Sequence, residues 1–340
     1  MSSKTSRELT HVEHHVTQNG YAQIKDARPK VGAEEPQHEL YLYSLETETL
    51  QPISIDELKD IRKKPEYLKE YGDDMSPYTE NRKVIFHEPK FSKKGEAVID
   101  IRAYDNKDRW IVHFKAGDTL FTEIEKQHDE AWIGGPGISY WNMVPGVVGW
   151  MKDDETIYFQ SEETGYSHLY TYSIPEKKKK QLTSGKFEIQ GVQLNKTGDA
   201  FFIHANKMHP GNSEFYTYLW TKNQWIAHSA KTGSAKVEVA PNERDLALLF
   251  SEQNKPWELF VGNTRTKKAI QPITYSQSAE FEKYPWRKPG VITFKGKDNA
   301  DVYARVYSPT ADKKNNAAVI FVHGAGYLQN ADHKWSGYYR

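Results

Sequence analysis

One unit recurs through the middle of this chain and restricts its fold more than any other feature: a polar turn, an apolar strand, then a strand rich in aromatic residues. Residues 91–95 precede the apolar run 97–101 and then 110–114. The same order holds for 151–154 before 156–159 and 168–172, and for 195–198 before 200–203 and 215–220. It holds again for 241–244 before 246–250 and 258–261. β-Branched and aromatic runs bounded by turn formers are the mark of strands joined to close neighbours in sequence. The turn residues Asp154, Gly198 and Arg244 stand 44 and 46 residues apart, within the ~40–50 expected of a four-stranded propeller blade. The preceding interval, from Gly95 to Asp154, is 59 residues, and the segment from Gln127 to Trp141 is expected to loop out the excess. An all-β sandwich is the competing architecture, and the regular four-strand period argues against it.

Composition supports a folded chain and removes several function classes. Of 340 residues 37% are hydrophobic and 13% aromatic, enough for one large or two ordinary cores. Lys and Arg (46) balance Asp and Glu (46), so no net field attracts nucleic acid or an anionic membrane. The absence of cysteine excludes disulfides and thiol chemistry. The first nine residues lack an apolar core, and no stretch of the chain has the length of a membrane span. As written, the chain reads as soluble, but an open set of blades leaves strand edges uncovered, so self-association is expected.

The two ends read differently from the middle. Residues 1–25 are polar, with strand character only from Val16 to Ile24, and a hairpin is expected from Glu39 to Ile53. Ser54 and Glu57 have capping-box spacing, predicting a short helix that ends near Pro65. After Thr274 the repeat stops. Residues 275–290 read as a linker, followed by strands at 291–294 and 302–307 and a continuous apolar run from Ala317 to Val322. Such a run is expected to be a strand buried on both faces, as in a parallel sheet. The fold class is therefore mainly β: an incomplete propeller over 1–280, then the first strands of an α/β-hydrolase domain over 281–340.

That last strand opens into His323, Gly324, Ala325, Gly326 and Tyr327. Glycines at a strand end let backbone amides approach a tetrahedral intermediate, and the His323 ring is a further donor toward an oxyanion. Equally, the glycines could simply turn the chain while His323 caps the strand end. No Gly-x-Ser-x-Gly elbow occurs in the sequence.

Taken together, the His323 to Gly326 loop, the Tyr284 to Trp286 linker, the segment Ser161 to Tyr170 and the stretch Arg28 to Gly32 resemble the dipeptidyl peptidase IV branch of the prolyl oligopeptidase family of serine peptidases. The resemblance runs from about residue 25 onward, and Ser161 to Tyr170 carries most of it. It implies an eight-bladed propeller capping an α/β-hydrolase domain, with a peptide substrate held between them, no cofactor, and a homodimer as one assembly known in the family. It also implies a Ser nucleophile, then Asp and His, expected after Arg340 because a hydrolase domain needs roughly two hundred residues beyond the His-Gly loop. His323, Gly324, Ala325 and Gly326 would form the oxyanion side. Where dipeptidyl peptidase IV places a tyrosine, the matching residue here is His323, as in the acylaminoacyl branch, while Ala325 and Gly326 depart from that branch's pattern. The glutamates that bind a free amino terminus precede the Arg28 to Gly32 match in the family. Neither Glu34 and Glu35 nor Glu162 and Glu163 match them.

Other candidates read as structural. His11, His14 and His15 lie in a polar segment without zincin spacing, so no metal site is expected. Gly134 to Gly137 imitates an oxyanion loop, but its lead-in is charged and it reads as a blade loop. Lys177 to Lys180 reads as a solvated turn. No phosphate loop, dinucleotide fingerprint or EF-hand is present. The chain alone is expected to be inactive. A non-enzymatic propeller that binds peptides or proteins is the reading from a different class, which a stop codon directly after Arg340 would favour.

Overall fold

The computed structural model describes residues 8–33, 36–115, 117–118, 120–140, 144–229, 231–265, 270–324 and 328–336. Two compact units divide the chain, residues 1–133 and 134–340. Both are built from antiparallel sheets whose strands follow one another in sequence order.

The second unit holds three successive four-stranded sheets. The first comprises Val148–Trp150, Thr156–Ser161, His168–Ser173 and Lys178–Gln181. The next comprises Ile189–Leu194, Phe201–Ala205, Glu214–Leu219 and Gln224–Ala227. The third comprises Ser234–Val239, Asp245–Glu252, Lys255–Asn263 and Gln271–Pro272. These are the expected blades. Successive side chains of a strand point to opposite faces, which explains the unbroken apolar run from Ala200 to Ile203. Phe201, Ile203 and Ala205 pack with Met151, Leu169, Leu182 and Phe187, while Phe202 packs with Phe215, Leu246 and Leu248. Both faces of the middle sheet are covered, one by each neighbouring core.

The first unit contains one sheet of the same kind. Ala97–Ala103, Asp108–Phe114 and Thr122–His128 are its inner and outer strands. The remaining strand is broken into Val84–Phe86 and Lys90–Phe91, both paired with Ala97–Ala103. Pro89 sits in the break, where it cannot donate to the ladder. Hairpins Tyr41–Ser44 with Thr49–Pro52 and His11–His14 with Gln23–Asp26 complete the unit. The first of these was expected; the second places a strand on the histidines, where the sequence suggested one only from Val16.

Two local expectations fail for identifiable reasons. Residues 54–62 form turns, not a helix, because Ser54 Oγ accepts from the amide of Asp56 two residues on (3.1 Å) and donates to its carboxylate (2.6 Å). A serine bonded two residues ahead stabilises a turn in place of a helix cap. Pro65 begins, not ends, a helical segment: it is the N-cap of the 3-10 helix Glu66–Tyr71. The lysine run is a turn only at Lys177. Lys178–Gln181 is an edge strand, and exposed lysines on an edge discourage further strand addition.

After the blades, Ala279–Lys283 forms a short α-helix within the linker, capped by Ser278. The hairpin Gly290–Lys295 with Asp301–Val306 follows as expected. The third strand does not form. Ala317 to Val322 has no strand assignment, and Val319 is 99% exposed and Val322 83%. A doubly buried parallel strand needs a sheet neighbour and helices over both faces, and the described residues bring neither to it.

Candidate functional site

His323 lies at the end of the exposed run, where its Nδ1–H donates to the carbonyl of Gly324 (2.8 Å). This short bond folds the imidazole onto its own loop. A Cβ built on Gly324 would meet nothing within 4 Å, so that position is sterically open. Ala325 and Gly326, expected on the same oxyanion side, lie outside the described residues, as do Glu34 and Glu35.

The chain beyond the loop is held firmly. The His333 amide donates to Gly211 O (2.9 Å), and His333 Nδ1–H donates to Asn212 Oδ1 (2.7 Å). Trp335 N donates to Ser251 Oγ (2.8 Å). Arg305 Nη1, from the hairpin, donates to Asp332 Oδ1 (3.1 Å) and to Lys334 O (2.9 Å), and its Nη2 donates to Gln253 O (3.2 Å). Arg305 and Asp332 are both buried, with side chains 6% and 8% exposed. The His209 ring packs 4.6 Å from His333 and edge-on to Tyr303 at 5.3 Å. Burial pulls both imidazoles below their ordinary range.

None of these groups announced itself in the sequence. Arg305 interrupts an otherwise apolar strand, Val302 to Val306, and that interruption is the one signal that could have marked it.

Gly134 to Gly137 has a structural role. Pro136 O accepts from Ser167 Oγ (2.6 Å) and Gln160 Nε2 (3.3 Å), and Gln160 Nε2 also donates to Ile189 O (2.7 Å). Gly137 has φ +69, and a Cβ there would lie 2.0 Å from Gln160 Oε1. The glycine is required so that the loop can pack on the blade. Glu163 pairs with Lys179 on the blade surface (2.5 Å). His11 pairs with Asp26 (3.0 Å) and His15 with Glu13 (3.4 Å). Among the described residues no group of three His, Asp or Glu side chains is placed to hold a metal ion.

Sequential four-stranded meanders with this internal period define a propeller-blade protein. The family model for the dipeptidyl peptidase IV (DPP IV) N-terminal region matches residues 7–257. The chain therefore belongs to the dipeptidyl peptidase IV family through that region. No curated protein is matched by its sequence. Among solved structures, a dipeptidyl aminopeptidase IV candidate from Bacteroides ovatus is similar at 12% identity and TM-score 0.69, over 97% of this chain and 46% of that one. Porphyromonas gingivalis dipeptidyl peptidase 4 is similar at 13% identity and TM-score 0.66, over 96% of this chain and 43% of that one. The chain thus spans less than half the length of either, and at such identity the likeness concerns the fold.

Proposed function

We propose that this chain is the blade-bearing part of a serine peptidase that hydrolyses peptide bonds through an acyl-enzyme, cleaving after proline or a small residue. The observation that carries the reading is the family match over residues 7–257, followed by a hairpin and a His-Gly loop. Residues 281–340 begin the peptidase domain in this reading. His323, Gly324, Ala325 and Gly326 line the oxyanion side in this reading, where amide N–H groups stabilise developing negative charge. The blades screen peptides by size before they reach the bond to be cut. Residues 1–340 hold no Gly-x-Ser-x-Gly, so the nucleophile and its Asp and His partners lie outside them, and the donors alone cannot form an ester intermediate.

Residues 1–340 are expected to release no chromophore from Gly-Pro or Ala-Pro substrates, while a full-length chain does so and is silenced by a serine-directed phosphonate. Turnover by residues 1–340 alone would overturn the assignment of roles. So would a reading frame past Arg340 that lacks the serine elbow.

A further inference from the structure

The His323-Gly324 loop is flanked by two segments that converge on a single guanidinium. On its N-terminal side lies the hairpin strand Asp301–Val306, which carries Arg305. On its C-terminal side lies the segment 331–335, which carries Asp332. Arg305 Nη1 joins the two directly through Asp332 Oδ1 (3.1 Å) and Lys334 O (2.9 Å), and Nη2 ties both to the blade turn at Gln253 O (3.2 Å). The second carboxylate oxygen of Asp332 is met by Lys334 Nζ (3.1 Å). Around this hub the blades supply a fitted seat. Gly211 accepts the His333 amide, Asn212 accepts from the His333 ring and from Gly233 N (3.4 Å), and Ser251 accepts the Trp335 amide. Asn212 and Ser251 are themselves buried. A Cβ on Gly211 would come within 2.6 Å of Ala331 O, so the seat fits closely enough to demand glycine.

A buried ion pair of this kind is weak evidence for stability, since desolvating two charges offsets most of their attraction. Its better attested use is to specify one arrangement. We propose that Arg305 and Asp332 are positioning residues for His323 and Gly324: their pair joins residues 27 positions apart on either side of that dipeptide and ties both flanking segments to the blades. The proposal rests on the peptidase reading for its functional half only. Arg305 and Asp332 act through the loop; they do not touch substrate.

Two measurements separate the halves. Hydrogen exchange on residues 1–340 reads the clasp without any activity. Gly211→Ala, which pushes on Ala331 and leaves no charge uncompensated, should speed exchange at the His333 and Trp335 amides by about tenfold while the amides of Phe201–Ala205 stay protected. Arg305→Met should do the same, and Arg305→Lys should restore part of the protection. Unchanged exchange at His333 and Trp335 in both Gly211→Ala and Arg305→Met would overturn the clasp, and so would equal loss of protection in the blade strand. In the full-length chain, Gly211→Ala should lower kcat by up to about a hundredfold, since a misplaced donor costs on that order, with KM held within about twofold. A rise in KM at unchanged kcat would overturn the positioning role. Absence of hydrolysis by the unmodified full-length chain would instead remove the peptidase reading and leave the exchange result standing.

Discussion

Phe201–Ala205 and Ala317 to Val322 are two short apolar runs of similar length and character in the same unit, and their surroundings are opposite. Phe201, Ile203 and Ala205 are fully buried, whereas Val319 is 99% exposed. The difference lies in where each strand's partners sit. Phe201–Ala205 pairs with Ile189–Leu194 and Glu214–Leu219, both close by in sequence and joined to it by short connections. Antiparallel neighbours of this sort come with the local chain, whereas a parallel strand needs a crossover of a dozen or more residues and a helix on each face. The contrast shows that apolar character decides whether a strand would be buried, and the reach to its partners decides whether it is.

The largest expected effect breaks the comparison directly. Phe201→Ala removes a ring packed edge-on to Tyr158 at 5.3 Å inside the core and should cost about 3–5 kcal/mol. Ile320→Ala in the exposed run should change stability by less than about 0.5 kcal/mol. Urea unfolding of residues 1–340 measures both, and a comparable loss from Ile320→Ala would mean that the run is covered in solution. Two glycines sharpen the same point at smaller scale. Gly137→Ala drives a Cβ into Gln160 from a left-handed backbone, for about 1–3 kcal/mol. Gly324→Ala meets open space and should leave the unfolding midpoint where it was.

Local chemistry made the blades legible. Gly95, Asp154 and Gly198, marked in the sequence as turn residues, all adopt positive φ, at +81, +53 and +82. The fourth marker is displaced by one residue: Glu243 takes φ +56, not Arg244. Asn242 Oδ1 accepts from the amides of Arg244 (2.9 Å) and Asp245 (3.1 Å), which sets the turn a residue earlier. The clasp was illegible for the opposite reason. Arg305 and Asp332 are 27 residues apart and both charged, and nothing in a linear pattern distinguishes a buried pair from two solvated side chains. The same blindness hid Arg109, 1% exposed and bonded to Asp100 at 2.9 Å in the first unit.

Histidines extend the contrast to pH. Burial depresses His168, His204 and His228 within the blades, and His209 and His333 at the clasp. A depressed imidazole is neutral when folded but takes up a proton when unfolded as pH falls below about 6.5, so stability is present above that value and is lost below it. Glu188, raised by burial, works the other way: the folded state holds a proton above about pH 4.5 that the unfolded state releases, which partly offsets the loss. The urea midpoint of residues 1–340 should therefore be lower at pH 5.5 than at pH 7.5. In His204→Phe, whose new ring can stack on Phe215 where the imidazole now lies at 4.9 Å, the pH difference should shrink. A midpoint independent of pH in this range would show that these rings are hydrated in solution.

The smallest effect tests whether turn geometry, which made the blades readable, also limits their stability. Lys177 holds φ +52 in the turn leading to Lys178–Gln181. A side chain in the left-handed region costs about 1–2 kcal/mol relative to glycine, and glycine gives back about 0.5–1 kcal/mol through the freedom of the unfolded chain. Lys177→Gly should therefore raise stability by no more than about 1.5 kcal/mol, and Lys177→Val should lower it because a β-branched residue fits that region worst. Both changes sit on an exposed edge and touch no core cluster, so the two shifts in urea midpoint report the backbone alone. Equal midpoints for the glycine and valine variants would mean that the turn relaxes at no cost. The regular blade period would then owe nothing to the strict backbone demand of its turns and would rest on the alternating burial of strands such as Phe201–Ala205.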